Sequence, residues 1–132
     1  MADGSTRGRL VLVADDDTDV RDLVADVLSE AGFRIVMAAN GEEAVALAQA
    51  HHPALVVLDV MMPEMDGYTA LTRLRGHPAT RSIPVIVLTG QGEPIYRTLS
   101  LGVGAVAHLT KPFSPDRLTE TVQRVLASAE GV

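Results

Sequence analysis

Polar side chains that can bind cations and phosphate follow the apolar stretches of this sequence. Three aspartates, Asp15–Asp17, follow the first stretch, Asp59 ends the third, Thr89 ends the fourth and Lys111 follows the fifth. Adjacent carboxylates are costly to keep ionised without a cation, and hard oxygen ligands that leave room for water suit Mg²⁺. A lysine and a hydroxyl facing that ion could hold phosphoryl oxygens. The residue types therefore predict a Mg²⁺-dependent phosphoryl site.

Each of these residues also has an ordinary structural explanation. Asp15–Asp17 could cap a helix, although one aspartate would suffice for that. Asp59 and Thr89 end apolar runs, where polar residues are common, and Lys111 alone could be a solvated surface charge. The prediction of a site depends on all of them falling at strand ends of one fold, because ligands of open parallel sheets bind outside the carboxyl ends of the strands.

The elements that must position these residues alternate along the chain. Five short apolar runs rich in β-branched residues predict strands, and a helix-compatible segment follows each run. This alternation predicts βαβ units around a parallel sheet, and continuous apolar runs predict strands that are covered on both faces. The fold class is therefore α/β, a doubly wound five-stranded parallel sheet of (βα)5 type. The predicted strands are Leu10–Ala14, Phe33–Ala38, Ala54–Leu58, Ile83–Leu88 and Ala105–Leu109.

Helix signals lie between the predicted strands. Thr18–Ala31 places six apolar residues, Leu23 among them, at helical spacing. Asn40 followed by Glu43 predicts a capping box that opens the second helix, with Glu43 reaching back to the cap. Ser114, which precedes a proline at the first helical position, predicts the start of the last helix. Two shorter helices are predicted at about Gly67–Arg75 and Ile95–Leu101.

Length and composition restrict the class of protein. The 132 residues suffice for one domain with its own core, and 47% hydrophobic with 21% charged residues excludes a disordered chain. A net charge of −6 disfavours contact with phosphate backbones, so we expect no direct nucleic-acid binding. The chain has no cysteine, which excludes disulfides and suits the cytoplasm, our expected location. No apolar run reaches the ~18 residues of a membrane helix, and we expect no membrane contact.

Four stretches of the sequence resemble the receiver domains of bacterial response regulators. They follow the order of that family and its spacing, since Thr89 follows Asp59 by 30 residues and Lys111 follows Thr89 by 22. The string D-x-x-M-P-x-M-D-G, which begins at Asp59, is highly specific, whereas the acidic cluster alone is weak. The resemblance extends over roughly residues 9–129. The four stretches are Leu12–Asp17, Leu58–Gly67, Pro84–Gly90 and Lys111–Phe113.

The resemblance implies a flavodoxin-like three-layer sandwich and a role for each acidic residue. Asp59 would be the phosphoacceptor, which attacks the phosphorus of a phosphohistidine and becomes an acyl phosphate. Asp16 would bind Mg²⁺ directly and Asp15 largely through water. Asp59 and the backbone carbonyl of Met61 would complete the protein ligands of the ion. Asp17 has no role in the family, and we interpret it as a helix cap.

The resemblance also assigns the residues that contact the phosphoryl group. Lys111, joined to Pro112 by a cis bond, would pair with the phosphoacceptor and then with the phosphoryl group. Thr89 would donate its hydroxyl to a phosphoryl oxygen. Gly90 stands where the family usually has alanine and leaves room for the phosphoryl group. His108 stands where the family usually has tyrosine or phenylalanine, a ring that moves with Thr89; a modified switch and a half-exposed histidine with no switching role are equal alternatives.

The function implied by the resemblance is that of a phosphoacceptor in a two-component or phosphorelay system, not of an enzyme beyond slow self-dephosphorylation. The phosphodonor would be a sensor histidine kinase or a histidine phosphotransfer protein, acting on a stand-alone regulator or on part of a longer protein. A homodimer is compatible with the sequence. We expect a disordered lead-in over residues 1–8, the receiver domain over residues 9–129 and a C-terminal tail over residues 130–132.

Two alternative functions stay open at this point. The first is a Mg²⁺-dependent phosphohydrolase of the haloacid dehalogenase type, which also has Asp-x-Asp after its first strand. Asp15–Asp17 satisfies that fragment, but Asp19 stands where such enzymes have threonine or valine, and their later acidic pair is missing. The second is a pseudo-receiver that never meets phosphate, against which the complete set of polar residues argues.

Overall fold

Strands and helices alternate from the first strand to the fourth, as the sequence predicts. The computed structural model describes residues 8–59, 67–90, 102 and 104–129. The strands in these ranges are β1 (Leu10–Ala14), β2 (Arg34–Ala38), β3 (Leu55–Asp59), β4 (Val85–Thr89) and β5 (Ala107–Thr110). The helices in the same ranges are α1 (Thr18–Glu30), α2 (Gly41–His51), α3 (Gly67–Gly76) and α4 (Pro115–Ala129). The predicted helix at 95–101 lies outside the described residues.

All five strands form one parallel sheet in the order β2-β1-β3-β4-β5. The chain moves outward from β1 to β2 and then returns to β3 on the other side of β1, so the strand order reverses between β1 and β3. In such sheets a crevice opens at the carboxyl ends of the strands where the order reverses. The predicted doubly wound α/β fold is confirmed, and the carboxyl ends of β1 and β3 flank this crevice.

The sheet separates two apolar clusters because successive residues of a strand point to opposite faces. Leu12 of β1 packs with residues of α2 and α3 on one face. Val11 and Val13 pack with residues of α1 and α4 on the other face. Every residue of β3 and β4 is buried, which confirms the prediction that continuous apolar runs form strands covered on both faces.

The helix starts follow the capping signals, with one difference at α2. Asp17 caps α1, because its carboxylate accepts hydrogen bonds from the backbone N–H groups of the second and third helical residues. Asn40 caps α2 by accepting from the N–H of Glu43 at 2.8 Å. The Glu43 carboxylate, however, accepts from the N–H of Ala39, one residue before the cap. The backbone of Asn40 is nearly fully extended, with φ −156° and ψ 173°. This conformation leaves the N–H of Ala39, rather than that of Asn40, within reach of the Glu43 carboxylate.

Leu23 corrects the predicted apolar face of α1. Val24 and Leu28 are fully buried against the sheet, whereas Leu23 is 46% exposed. Leu23 lies about 100° around the helix from Val24, at the margin of the apolar stripe. Helical spacing indicates which residues lie on the same side of a helix. It does not indicate how much of that side the neighbouring elements bury. No helix among the described residues is both long and apolar enough to cross a membrane.

Arg75, near the end of α3, connects the segments that lead into β4 and β5. Its guanidinium donates to the carbonyl oxygens of Arg81 and Ile83, and burial lowers the pKa of this side chain. Gly104, in the turn before β5, has φ +124°, and a Cβ at this position would lie 3.0 Å from Arg75 Nε. Glycine is required there both by the left-handed backbone and by the closeness of Arg75.

We predict that Gly104→Ala lowers the free energy of unfolding by about 1–3 kcal/mol, because alanine at this φ is strained and its methyl group meets Arg75. Gly76→Ala is the matched control, since its Cβ would have open space around it and alanine is the better residue in a helix. The control should leave stability unchanged or raise it slightly. Urea denaturation of the three proteins measures this, and equal stability of Gly104→Ala and wild type would contradict the interpretation.

Candidate functional site

The acidic loop, defined here as Asp15–Asp17, leaves the carboxyl end of β1 at the crevice. Asp15 is fully buried, and its backbone N–H donates to the carbonyl of Ala38 at 3.2 Å. Its Oδ1 atom accepts from the N–H of Asp17 at 3.0 Å. Asp16 lies between them and is exposed. The loop therefore presents one buried carboxylate and one exposed carboxylate at the sheet edge.

Lys111 connects the first and third strands across the sheet edge. Its ammonium nitrogen lies 3.0 Å from Oδ2 of Asp15 and 3.3 Å from Oδ2 of Asp59, the last residue of β3. Asp59 is only 4% exposed. The backbone N–H of Lys111 donates to the carbonyl of Thr89 at 2.7 Å, which extends the pairing of β5 with β4. The bond to Pro112 is cis, as the resemblance implies.

The charge of Lys111 is stabilised by its two carboxylate neighbours. Burial disfavours the ammonium, but the hydrogen-bonding and charge interactions with Asp15 and Asp59 outweigh burial, so the pKa of Lys111 lies above its ordinary value. The side chain of Lys111 is 25% exposed while those of Asp15 and Asp59 are almost fully buried. One ammonium is thus shared between two buried carboxylates at neutral pH.

The three carboxylates fit a divalent cation. One oxygen each from Asp15, Asp16 and Asp59 lies within 4.8 Å of the others. Oδ2 of Asp15 is buried and lies 3.0 Å from the Lys111 ammonium, which offsets its charge. One ammonium beside three carboxylates leaves a surplus of negative charge, which favours a further cation. Three hard oxygen donors with one side open to water match the ligands that Mg²⁺ takes in proteins.

Of the other predicted site residues, the structure describes Thr89, Gly90 and His108. Thr89, the last residue of β4, is buried at the same sheet edge, and Gly90 follows it. His108 pairs in register with Val87 and is half-buried. His108 lies on the face of β5 opposite Leu109, which packs in the cluster beside α1 and α4. Met61 lies outside the described residues.

Two features of the site are absent from the sequence-based prediction. The first is Arg21 of α1, which donates from Nη1 to the carbonyl oxygen of Asp15 at 3.0 Å. The available signal is that helical side chains lean toward the N-terminus, so a long residue in the first turn can reach the loop before the helix. The second feature is an open, mostly apolar pocket of about 430 Å³ beside Lys111. It is lined by Val20, Leu23, Gly90, Lys111, Pro112 and Phe113.

Comparison with known proteins identifies the family. The family model of the response regulator receiver domain matches residues 11–123. The chain belongs to the response regulator receiver family. Receivers are the response regulator modules of two-component systems and are signalling modules rather than classical enzymes, so this assignment argues against the phosphohydrolase hypothesis.

Named relatives and solved structures agree with this assignment. The receiver is 42% identical over 118 residues to response regulator Rre1 of Synechocystis, covering 89% of this chain and 51% of that protein. It spans about half the length of the curated relatives it matches. The chemotaxis protein CheY4 of Vibrio cholerae matches with a TM-score of 0.84 and 35% identity, over 89% of this chain and 98% of that one.

A second solved structure bears on the acidic cluster. The receiver domain of sensor histidine kinase PA1611 from Pseudomonas aeruginosa matches with a TM-score of 0.85 and 28% identity, over 91% of this chain and 98% of that one. That protein is described with a magnesium ion coordinated in its active-site cleft. The acidic pocket of this receiver has the donor atoms that such an ion requires.

We predict that the pKa of Lys111 falls in Asp59→Asn, because one of its two carboxylate partners is removed. Lys111 is the only lysine of the chain, so ¹³C-labelled lysine gives a single side-chain signal whose pH titration NMR can follow. Wild type should titrate above the ordinary value of about 10.4. Asp26→Asn, a change at an exposed position of α1, is the control and should titrate like wild type. An Asp59→Asn signal that titrates at or above the wild-type pKa would contradict the pairing.

The same pairing sets the sign of a pH effect on stability. Because the folded pKa of Lys111 is raised, the stabilisation that it contributes is complete below the unfolded value of about 10.4 and is lost as pH rises through the folded value. The free energy of unfolding, measured in urea above pH 10, should therefore decline in wild type more steeply than in Asp59→Asn.

Proposed function

We propose that this receiver accepts a phosphoryl group from a phosphohistidine onto Asp59, with Mg²⁺, and then changes its interaction surface. The donor is a sensor histidine kinase or a histidine phosphotransfer protein. The observation that carries the proposal is the ammonium of Lys111 between Oδ2 of Asp15 and Oδ2 of Asp59, at 3.0 and 3.3 Å. This arrangement supports a nucleophilic carboxylate beside a fixed positive charge, at the sheet edge where ligands bind.

The transfer step assigns work to four residues. A carboxylate oxygen of Asp59 attacks phosphorus in line, a P–O bond forms, and the P–N bond to the imidazole breaks with its electron pair left on nitrogen. Lys111 then pairs with the phosphoryl group and offsets its negative charge. The Thr89 hydroxyl donates to a phosphoryl oxygen, and Gly90, without a side chain, leaves room for the group. Catalysis of this kind depends mainly on positioning and electrostatic stabilisation.

Asp15, Asp16 and Asp59 would hold Mg²⁺, with the backbone carbonyl of Met61 as a further proposed ligand. Bound Mg²⁺ supplies positive charge that offsets the charge of phosphoryl oxygens. The exposed Asp16 is proposed as the direct ligand and the buried Asp15 as a ligand through water. The three carboxylates, each with an oxygen within 4.8 Å of the others, carry more negative charge than the single ammonium of Lys111 offsets, which supports a cation at this place rather than a purely structural acidic loop.

The apolar pocket beside Lys111 supports a protein as the phosphodonor. Leu23 is 46% exposed at this pocket, and Phe113 lines it from the segment after β5. A donor protein that presents its phosphohistidine to Asp59 can bury this exposed apolar surface, which favours association. A small phosphodonor gains little from it.

We predict a single phosphorylation site. With Mg²⁺ and a small phosphodonor, intact-mass analysis should show one added phosphoryl group, stable in acid and labile in base as an acyl phosphate is. Asp59→Asn should take up none, because an amide is not a nucleophile for phosphorus, and Asp26→Asn should be labelled like wild type. Steady phosphate release over many turnovers would favour a phosphohydrolase.

Two outcomes would contradict the proposal. Labelling that persists in Asp59→Asn would move the acceptor to another residue. A wild-type protein that takes up no phosphoryl group, either from a small donor or from a phosphorylated histidine phosphotransfer protein, would favour the pseudo-receiver.

Thr89 and His108 are the proposed switch residues. When the Thr89 hydroxyl moves to the phosphoryl group, space opens behind it and the side chain at 108 can move inward. The pairing of β5 with β4 supports this coupling. His108 is paired with Val87 and Thr110 with Thr89, so His108 lies two residues before the position beside Thr89.

We predict that a phosphoryl mimic such as beryllofluoride shifts the ring NMR signals of His108 and lowers the solvent exposure of the ring. Thr89→Ala should abolish the response, since no hydroxyl moves to the mimic. His77, in an exposed loop, is the internal control and should not respond. If the signals of His108 are unchanged while the mimic is bound, His108 has no switching role.

A further inference from the structure

Asp15 is held by hydrogen bonds at three of its polar atoms, and the fourth faces Lys111. Its N–H donates to the carbonyl of Ala38, its Oδ1 accepts from the N–H of Asp17, and its carbonyl oxygen accepts from Nη1 of Arg21. The fourth polar atom, Oδ2, is buried and lies 3.0 Å from the ammonium of Lys111. The loop is thus fixed around the one atom that faces Asp59 and Lys111.

Arg21 differs from the other two partners of Asp15. Ala38 and Asp17 contribute backbone groups, which belong to the sheet and to the loop itself. Arg21 contributes a side chain from the first turn of α1, and its own N–H donates to the carbonyl of Asp17 at 2.9 Å. The helix beneath it is fixed, because Val24 is fully buried against the sheet. Arg21 therefore ties a packed helix to both ends of the acidic loop.

We propose that Arg21 is a positioning residue of the cation site: it holds the acidic loop so that the carboxylates of Asp15 and Asp16 face Asp59. The inference rests on the proposed function, since it concerns the Mg²⁺ site. Without Arg21 the carbonyl of Asp15 loses its charge-assisted hydrogen bond, and the loop can relax away from Asp59. Residues that orient ligands without touching the metal typically change metal affinity by about 10- to 100-fold.

Charge alone predicts the opposite result. Arg21 is a cation near the position of another cation, so its removal would relieve repulsion and tighten Mg²⁺ binding by a few-fold. Positioning predicts weaker binding. The direction of the change in affinity of Arg21→Met separates the two roles, whereas Arg21→Lys, which keeps the charge and a donor group, should bind nearly like wild type and checks that the effect comes from the lost group.

The experiment is a Mg²⁺ titration of the full chain, monitored by ¹⁵N NMR. The chain has no tryptophan whose fluorescence could report binding instead. We expect Arg21→Met to raise the dissociation constant about tenfold, and Arg21→Lys to restore most of the affinity. Arg124→Met is the matched control, because it removes the same charge from an exposed position of α4 beside Pro84, at the end of β4 away from the site. The control should bind like wild type.

A metal-free measurement keeps the inference testable if Arg21→Met is less stable. In EDTA, hydrogen exchange of the Asp17 amide, which donates to Asp15 Oδ1, should accelerate in Arg21→Met, while the amides of β3 and β4 keep wild-type protection. Exchange that accelerates equally throughout the sheet would show a general structural role and overturn the inference.

The remaining outcomes are also distinguishable. Arg21→Met that binds Mg²⁺ as tightly as wild type, or more tightly, overturns the positioning role and leaves the proposed function in place. If the wild-type protein does not bind Mg²⁺, its spectra in the titration will match those of Asp16→Asn. That result overturns the metal site and the inference together.

Discussion

Two buried carboxylates at one sheet edge require a positive charge between them, and Lys111 supplies it. Asp15 and Asp59 follow different strands and are almost completely withdrawn from water. Two carboxylates in such an environment cannot both stay ionised without a nearby cation. The ammonium of Lys111, which lies within 3.3 Å of an oxygen of each, makes the arrangement stable. The rest of the fold serves to bring three distant segments to this point.

The parallel sheet achieves this convergence by geometry. All five strands run in the same direction, so residues that follow them collect at one edge. Strand order reverses between β1 and β3, which leaves their carboxyl ends uncovered by a crossover. Strand β5 lies at the border of the sheet, yet Lys111 reaches the centre because its backbone continues the pairing with Thr89 and its side chain is long.

The site combines a rigid part with an accessible part. Asp15 is held by hydrogen bonds from the sheet, the loop and Arg21, so its carboxylate would lose little conformational entropy on binding a cation. Asp16 is exposed and leaves a route for a hydrated ion. An apolar pocket opens on the surface beside Lys111. A charged centre bordered by an uncovered apolar surface is suited to reaction with a group that another protein presents.

The sequence by itself determined the element types, most helix caps, the family and the set of residues that meet at the sheet edge. These depend on local properties: hydrophobic periodicity, capping chemistry at Asp17, and polar residues at strand ends. Tertiary structure alone decided the strand order, the contact of Lys111 with Asp15, the reach of Arg21 to the carbonyl of Asp15 and the exposure of Leu23. Each of these features depends on how segments that are not neighbours in the chain pack against each other. Periodicity reports which face a residue occupies, whereas only the packed arrangement decides what lies against that face.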